Sequence, residues 1–268
     1  MSCENGIPYG TGPSKEAIGA VEAKVKYTPV DVPSSAVPNA EAVIDFFLAK
    51  DDTLPIEFCI AVTGVFGAES GIVPKKFNKQ EQTSGGSYNG RHEPGQKTFK
   101  YGGKEYGYSE ETMRKFGYGK GLAQWTWARP LEFRDWYNNN ASPSEKTSGV
   151  DRIDENASAI TSTSINTQCS FAWREMSLRS GGFMKTIRSV THVSHTSDPD
   201  GFKNNIKVCV DAITRGYENG STNAMASVEF MNKYSGDYWG IDFRKRYEWA
   251  LGVYEKIKNK SKYGGKLS

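Results

Sequence analysis

The chain has 268 residues, 37% of them hydrophobic and 24% charged, with a net charge of +3. That length holds one large domain or two small ones around a sizeable core, and a charge so near neutral makes no case for nucleic acid as a partner. No segment approaches the ~20 apolar residues that span a bilayer, so no membrane insertion is expected.

The N-terminus, "MSCENGIPYGTGPSKE", has no basic stretch followed by an apolar run, so no secretory signal is expected. Residues 1–38 are rich in Pro, Gly, Ser and Val. Repeated prolines forbid regular helix, which predicts an extended arm or linker. Asn39 suits the N-cap of a first helix to Lys50, with Val43, Phe46 and Phe47 at core spacing. "DDTLP" breaks it, and Pro55 suits the first residue of a second helix that runs to Glu69 or Ser70 and is stopped by Gly71.

Residues 75–118 carry turn signals throughout, with aromatic alternation from Phe99 to Tyr108, and predict loops with one or two short β-hairpins. A third helix is expected from Ala123, with Pro130 near its start and Leu131, Phe133 and Trp136 among its apolar residues. "NNNASPSEKTSG" reads as a surface loop. Further helical patterns cover about 151–161, 165–179, 202–216 and 239–259, with shorter pieces at "GGFMKTIRSV" and "NAMASVEFMNKY". Residues 261–268 read as a flexible basic tail. The chain is therefore predicted to be mainly α, one helical domain over residues 39–260 with a loop and hairpin insertion at 75–118.

The cysteines, Cys3, Cys59, Cys169 and Cys209, are scattered, without the pairing of a disulfide framework or the spacing of a zinc site. Cys59 and Cys209 lie in apolar helical patterns and read as small core hydrophobes. His192 and His195 are three apart, but in a polar loop with no third ligand near in sequence. No metal and no cofactor is expected.

The chemistry starts at "GVFGAESGIVP", residues 64–74, where an apolar helix ends on one acid, Glu69. A helix C-terminus carries about half a negative charge, and apolar neighbours add desolvation. Both disfavour the ionised form and suit a general acid working near neutral pH. Gly64, Gly67 and Ala68 would let another helix or a substrate come close. In "GYGKGLAQWTWARP", residues 117–130, glycines supply tight turns, Gln124 an amide, and Trp125 and Trp127 flat faces of the kind that stack on sugar rings. Together these suit a saccharide cleft.

"AESGIVP" followed by "GYGKGLAQWT" resembles the phage tail lysozyme family, within the lysozyme-like superfamily of goose-type lysozymes and soluble lytic transglycosylases. Glu69-Ser70-Gly71 matches the first family motif in full; the second matches at Gly117-Tyr118-Gly119 and Leu122 to Thr126, with Lys120-Gly121 inserted. "GYENG" and "RKRYEWALGVY" resemble later family segments, and the likeness spans about residues 40–258.

The resemblance implies a lysozyme-like helical fold and cleavage of the β-1,4 bond between N-acetylmuramic acid and N-acetylglucosamine, with Glu69 as acid/base. Ser70, Tyr118, Gln124, Trp125, Trp127 and Tyr217 would bind substrate. It also implies bacterial peptidoglycan as target, a place in the phage tail or baseplate among other tail proteins, and delivery by the virion. Glycosidases normally use a second carboxylate, for which Glu81, Glu93 and Glu105 in the insertion are candidates, whereas a lytic transglycosylase needs one acid. The rivals are a tail protein that binds glycan without cutting it, and an amidase or peptidase, which would want a Cys/His pair or zinc ligands.

Overall fold

The computed structural model describes residues 26–77, 98–107, 119–125, 128–178, 183–214, 217 and 238–268. Eight α-helices are described: α1 (Val37–Lys50), α2 (Ile56–Ser70), α3 (Ala128–Asn139), α4 (Ile165–Leu178), α5 (Phe183–Arg188), α6 (Pro199–Ile213), α7 (Tyr238–Ile257) and α8 (Gly264–Leu267). One antiparallel hairpin, β1 (Thr98–Tyr101) with β2 (Lys104–Gly107), pairs Thr98 with Gly107 and Tyr101 with Lys104.

The centre of the fold is α2. Fourteen of its fifteen residues are buried, and Glu69 is the exception. A helix apolar on every side must be covered on every side; α1, α6 and α7 pack against it. The closest approach is by α7. A Cβ on Gly64 would lie 2.5 Å from the Ala250 Cα, and one on Gly67 would lie 2.4 Å from the Trp249 ring. The small-residue stripe of α2 therefore receives another helix.

Several expectations are corrected. First, α1 begins at Val37, with Pro38 in its first turn, so Asn39 lies inside the helix. The Asn39 amide instead donates to the Ile72 carbonyl at 2.9 Å, tying α1 to the loop beyond Glu69. Second, α3 is described from Ala128; left-handed Gly121 (φ 72°) and Gln124 (φ 47°) exclude helix across residues 121–124. Third, residues 151–157 are not helical, and only a 3-10 turn, Ser158–Ser162, follows. Asp154 captures the Ser158 and Ala159 N–H groups at 2.8 and 3.3 Å, the local competition that disfavours helix.

The described part of the arm lies against α7. Val30 N–H donates to the Glu248 carbonyl (3.0 Å), and Gly252 makes room for the Val30 carbonyl, which sits 2.2 Å from where a Cβ would stand. The last residues are no free tail either. Tyr263 and Leu267 are buried, the Tyr263 hydroxyl donates to Asp45 (2.9 Å), and Lys262 bridges Glu41 and Asp45 on α1.

Glu57, in the first turn of α2, is fully buried and faces His192 Nδ1 (3.0 Å) and the Asn205 amide (3.2 Å). His192 Nε2 faces the Ser268 main-chain oxygen at 3.0 Å, so both ring nitrogens meet acceptors and both must donate. Burial pulls the His192 pKa down, but the bonds to Glu57 and Ser268 and the Glu57 charge together raise it above its ordinary value. A raised histidine stabilises the fold below its unfolded pKa of about 6.5, and that stabilisation is lost as pH rises through the folded value. Melting temperature should therefore fall from mildly acidic to alkaline pH more steeply in the native chain than in His192→Gln. Parallel curves would remove His192 from the pH response.

His195 bonds elsewhere, to the Tyr254 hydroxyl at 3.2 Å. Among the described residues no group of three or more His, Cys, Asp or Glu side chains is gathered for a metal ion, and no helix is long and apolar enough to cross a membrane. Cys59, Cys169 and Cys209 are buried free thiols whose pKa burial pushes up, as core residues would show.

Candidate active site

Glu69 occupies the one open position of α2, its side chain 26% exposed. The helix stops at Gly71, whose φ of 70° glycine adopts without strain and whose N–H returns to the Gly67 carbonyl at 2.8 Å. Ile72 is also left-handed (φ 60°), although β-branched and buried, a strain of about 1–3 kcal/mol. Its buried side chain and the Asn39 bond to its carbonyl hold it there. Ser70 is turned inward: it is buried, and its hydroxyl bonds back to the Phe66 carbonyl (2.9 Å). That burial leaves it no open surface for a substrate.

The carboxylate meets a guanidinium. Arg246, buried on α7, places an Nη 2.5 Å from Glu69 Oε1. The acid therefore meets an opposite charge at the helix end, where the sequence alone shows only the negative end of the helix dipole. The pair was not anticipated: "RKRYEWALGVY" shows a basic helix, but only the Gly64 and Gly67 contacts with α7 reveal which arginine reaches the acid.

The second motif is fastened beside the first. Lys120 and Trp125 exchange two backbone hydrogen bonds (3.0 and 3.2 Å), closing a tight loop, and Gly121 N–H donates to the Lys76 carbonyl (2.9 Å). The inserted Lys120-Gly121 pair is thus part of this closure. A Cβ on Gly121 would lie 2.6 Å from Gln168 Oε1, so the left-handed turn and the close contact both call for glycine. Gln124 is half-buried, and its amide donates to Gly121 O (2.8 Å) and Lys76 O (3.5 Å). Lys120 is buried, its ammonium 5.7 Å from the Phe77 ring centroid. Burial takes its pKa down to about 8, with the Asp154 charge opposing.

Gln168 on α4 joins the two motifs. Its Oε1 accepts from Leu122 N–H (2.8 Å), and its amide donates to the carbonyls of Pro74 (3.1 Å), Ile160 and Thr163 (both 3.2 Å). The chain just after Glu69 and the glycine-rich loop therefore share one buried side chain.

Beneath that loop lies a second acid unforeseen in the sequence. Glu175 is 2% exposed and accepts from Trp125 Nε1 (2.7 Å), the Tyr217 hydroxyl (2.7 Å) and Arg129 through two nitrogens (2.8 and 2.9 Å). Phe171, Ala172 and Met176, all buried, share its face of α4, and an acid at core spacing is the signal that could have marked it. Trp125 and Tyr217 are themselves fully buried. The expectation that they line the sugar cleft is corrected: their faces are covered by protein, Trp125 by Phe133 and Phe171 with ring centroids 5.2 and 5.6 Å away. Their polar tips serve Glu175.

Of the remaining candidates, Tyr118, Trp127, Glu81 and Glu93 lie outside the described residues. Glu105 is exposed on β2, opposite Lys100, on a hairpin that Tyr101 anchors to α3 through its hydroxyl bond to Asp135 (2.7 Å).

Thus an acid at the only open position of a central helix stands where a glycine-rich loop is fastened to the chain just beyond it. No curated protein and no solved structure matches the chain. The family model described as phage tail lysozyme matches residues 38–263, from the first turn of α1 to the 3-10 turn Ser261–Tyr263 that precedes α8. The chain belongs to the phage tail lysozyme family.

Proposed function

We propose that this is a virion-borne peptidoglycan glycosidase that cleaves the β-1,4 bond between N-acetylmuramic acid and N-acetylglucosamine, with Glu69 as general acid/base, and that the cut opens the host wall to the phage tail. The observation that carries the reading is the singular exposure of Glu69, the one residue of α2 that is not buried. An acid spared from an otherwise apolar helix has a reason to face outward, and proton transfer is the reason that family membership supplies. Glu69 would give its proton to the glycosidic oxygen as the C1–O bond breaks. The resulting carboxylate would then take a proton from the attacking group, either the 6-hydroxyl of the muramyl ring or water. Gln124 remains the candidate for substrate contact among the described motif residues, since it alone of Ser70, Gln124, Trp125 and Tyr217 is not buried.

The test is digestion of purified peptidoglycan by the native chain and by Glu69→Gln, with soluble products read by mass spectrometry. Loss of one acid/base group lowers such rates by about 10²–10⁴-fold, so muropeptides should fall at least a hundredfold in the variant. Anhydro-muramyl ends would identify a transglycosylase and reducing ends a hydrolase. Release undiminished by the substitution would remove Glu69 from the chemistry.

A second reading, a tail component that binds glycan without cutting it, is favoured by one observation. Glu69 Oε1 is already engaged by the Arg246 guanidinium, a contact that competes with a glycosidic oxygen for the carboxyl group. Sedimentation with insoluble peptidoglycan and no released fragments would select it.

A further inference from the structure

Gly64 and Gly67 have no side chains to hold α7 away from α2, and the residue that this approach delivers to Glu69 is Arg246. We propose that Arg246 is a positioning residue for the glycan-cleaving reaction: it holds the Glu69 carboxyl group in one orientation at the open position of α2. The inference rests on the reading of Glu69 as the acid.

Three observations carry it. The Arg246 side chain is 3% exposed and that of Glu69 26%, so the cation sits on the protein side of the pair and the acid on the open side. The position of the cation is set by packed helices rather than a loop, because Trp249 and Ala250, one turn on, fill the two glycine sites of α2. Among the described residues Arg246 is the charged group that meets Glu69 within hydrogen-bond reach. The other acid of α2, Glu57, lies twelve residues back, about 18 Å along the helix, and faces His192 and Asn205.

A fixed positive charge that is preorganised where negative charge develops assists the chemical step more than substrate binding. That assistance belongs to the charge of Arg246, and lysine should preserve part of it.

The experiment is steady-state muropeptide release by the native chain, Arg246→Met and Arg246→Lys, with circular dichroism melts to check folding. In Arg246→Met kcat should fall about tenfold or more while KM stays within about twofold. Arg246→Lys should recover at least about a third of the native kcat, since it keeps the charge. If Arg246→Met does not fold, Arg246→Gln carries the same expectation, since it too removes the charge. A folded Met or Gln variant with kcat within about twofold of the native value, or a loss that lysine does not rescue, would overturn the proposal and leave Arg246 a packing residue. A native chain that releases nothing at any pH would overturn the glycosidase reading itself, which is a different result.

Discussion

Glu175→Gln should lower the unfolding free energy by about 3–5 kcal/mol, measured by urea denaturation, because it breaks a largely buried ion pair in which the carboxylate holds Arg129 through both oxygens. The arithmetic follows from the geometry. Arg129 holds both carboxylate oxygens and lies over the Tyr217 ring with its guanidinium carbon 4.9 Å from the centroid, while Trp125 and Tyr217 share one oxygen. An amide can still accept from the indole and hydroxyl, but its NH2 group turns two donors toward Arg129. If the loss is below about 1 kcal/mol, water neutralises Arg129 and the buried cluster is not the support it is taken to be. The variant should also cut peptidoglycan less well, because Trp125 closes the loop that carries Gln124.

Gly64→Ala should destabilise by about 2–3 kcal/mol although alanine is the better helix former by about 1 kcal/mol. The new methyl would stand 2.5 Å from the Ala250 Cα and 2.6 Å from its backbone nitrogen. Backbone cannot rotate aside as a side chain can, so α2 and α7 must separate. That separation also withdraws Arg246 from Glu69. Gly64→Ala should therefore lower kcat for muropeptide release with little change in KM, as Arg246→Met does, a link that a purely local packing defect would not produce. A stabilised Gly64→Ala would show that the helices have room to spare.

Much of this was legible in the sequence where local chemistry decides. The apolar run from Ile56, the stop at Gly71 and the Thr98–Gly107 hairpin follow from periodicity and turn residues. The reading failed where a distant partner decides. Asn39 has the chemistry of an N-cap, yet its amide is claimed by Ile72, 33 residues away. Trp125 has the face of a sugar platform, yet its indole nitrogen is claimed by Glu175, 50 residues away. The basic residues near the C-terminus look solvated, yet Glu41 and Asp45 of α1 claim Lys260 and Lys262. Burial of an aromatic cannot be read from its own neighbourhood, because the covering side chains come from another part of the chain. The acid at the end of α2 stood out in the sequence because its oddity is local: it is a charge that ends an apolar helical run.

The four bonds of Gln168 bear on the order of assembly. Its amide reaches Pro74, 94 residues earlier, and its carbonyl oxygen takes the Leu122 N–H, 46 residues earlier. Contacts between such remote segments form only after the intervening chain has been ordered. The loop beyond Glu69 and the glycine-rich loop cannot be pinned by Gln168 until α4 has docked, so the surroundings of Glu69 form after the helices they join. In a refolding experiment the helical signal should return first, and the proposed muropeptide release should lag behind it.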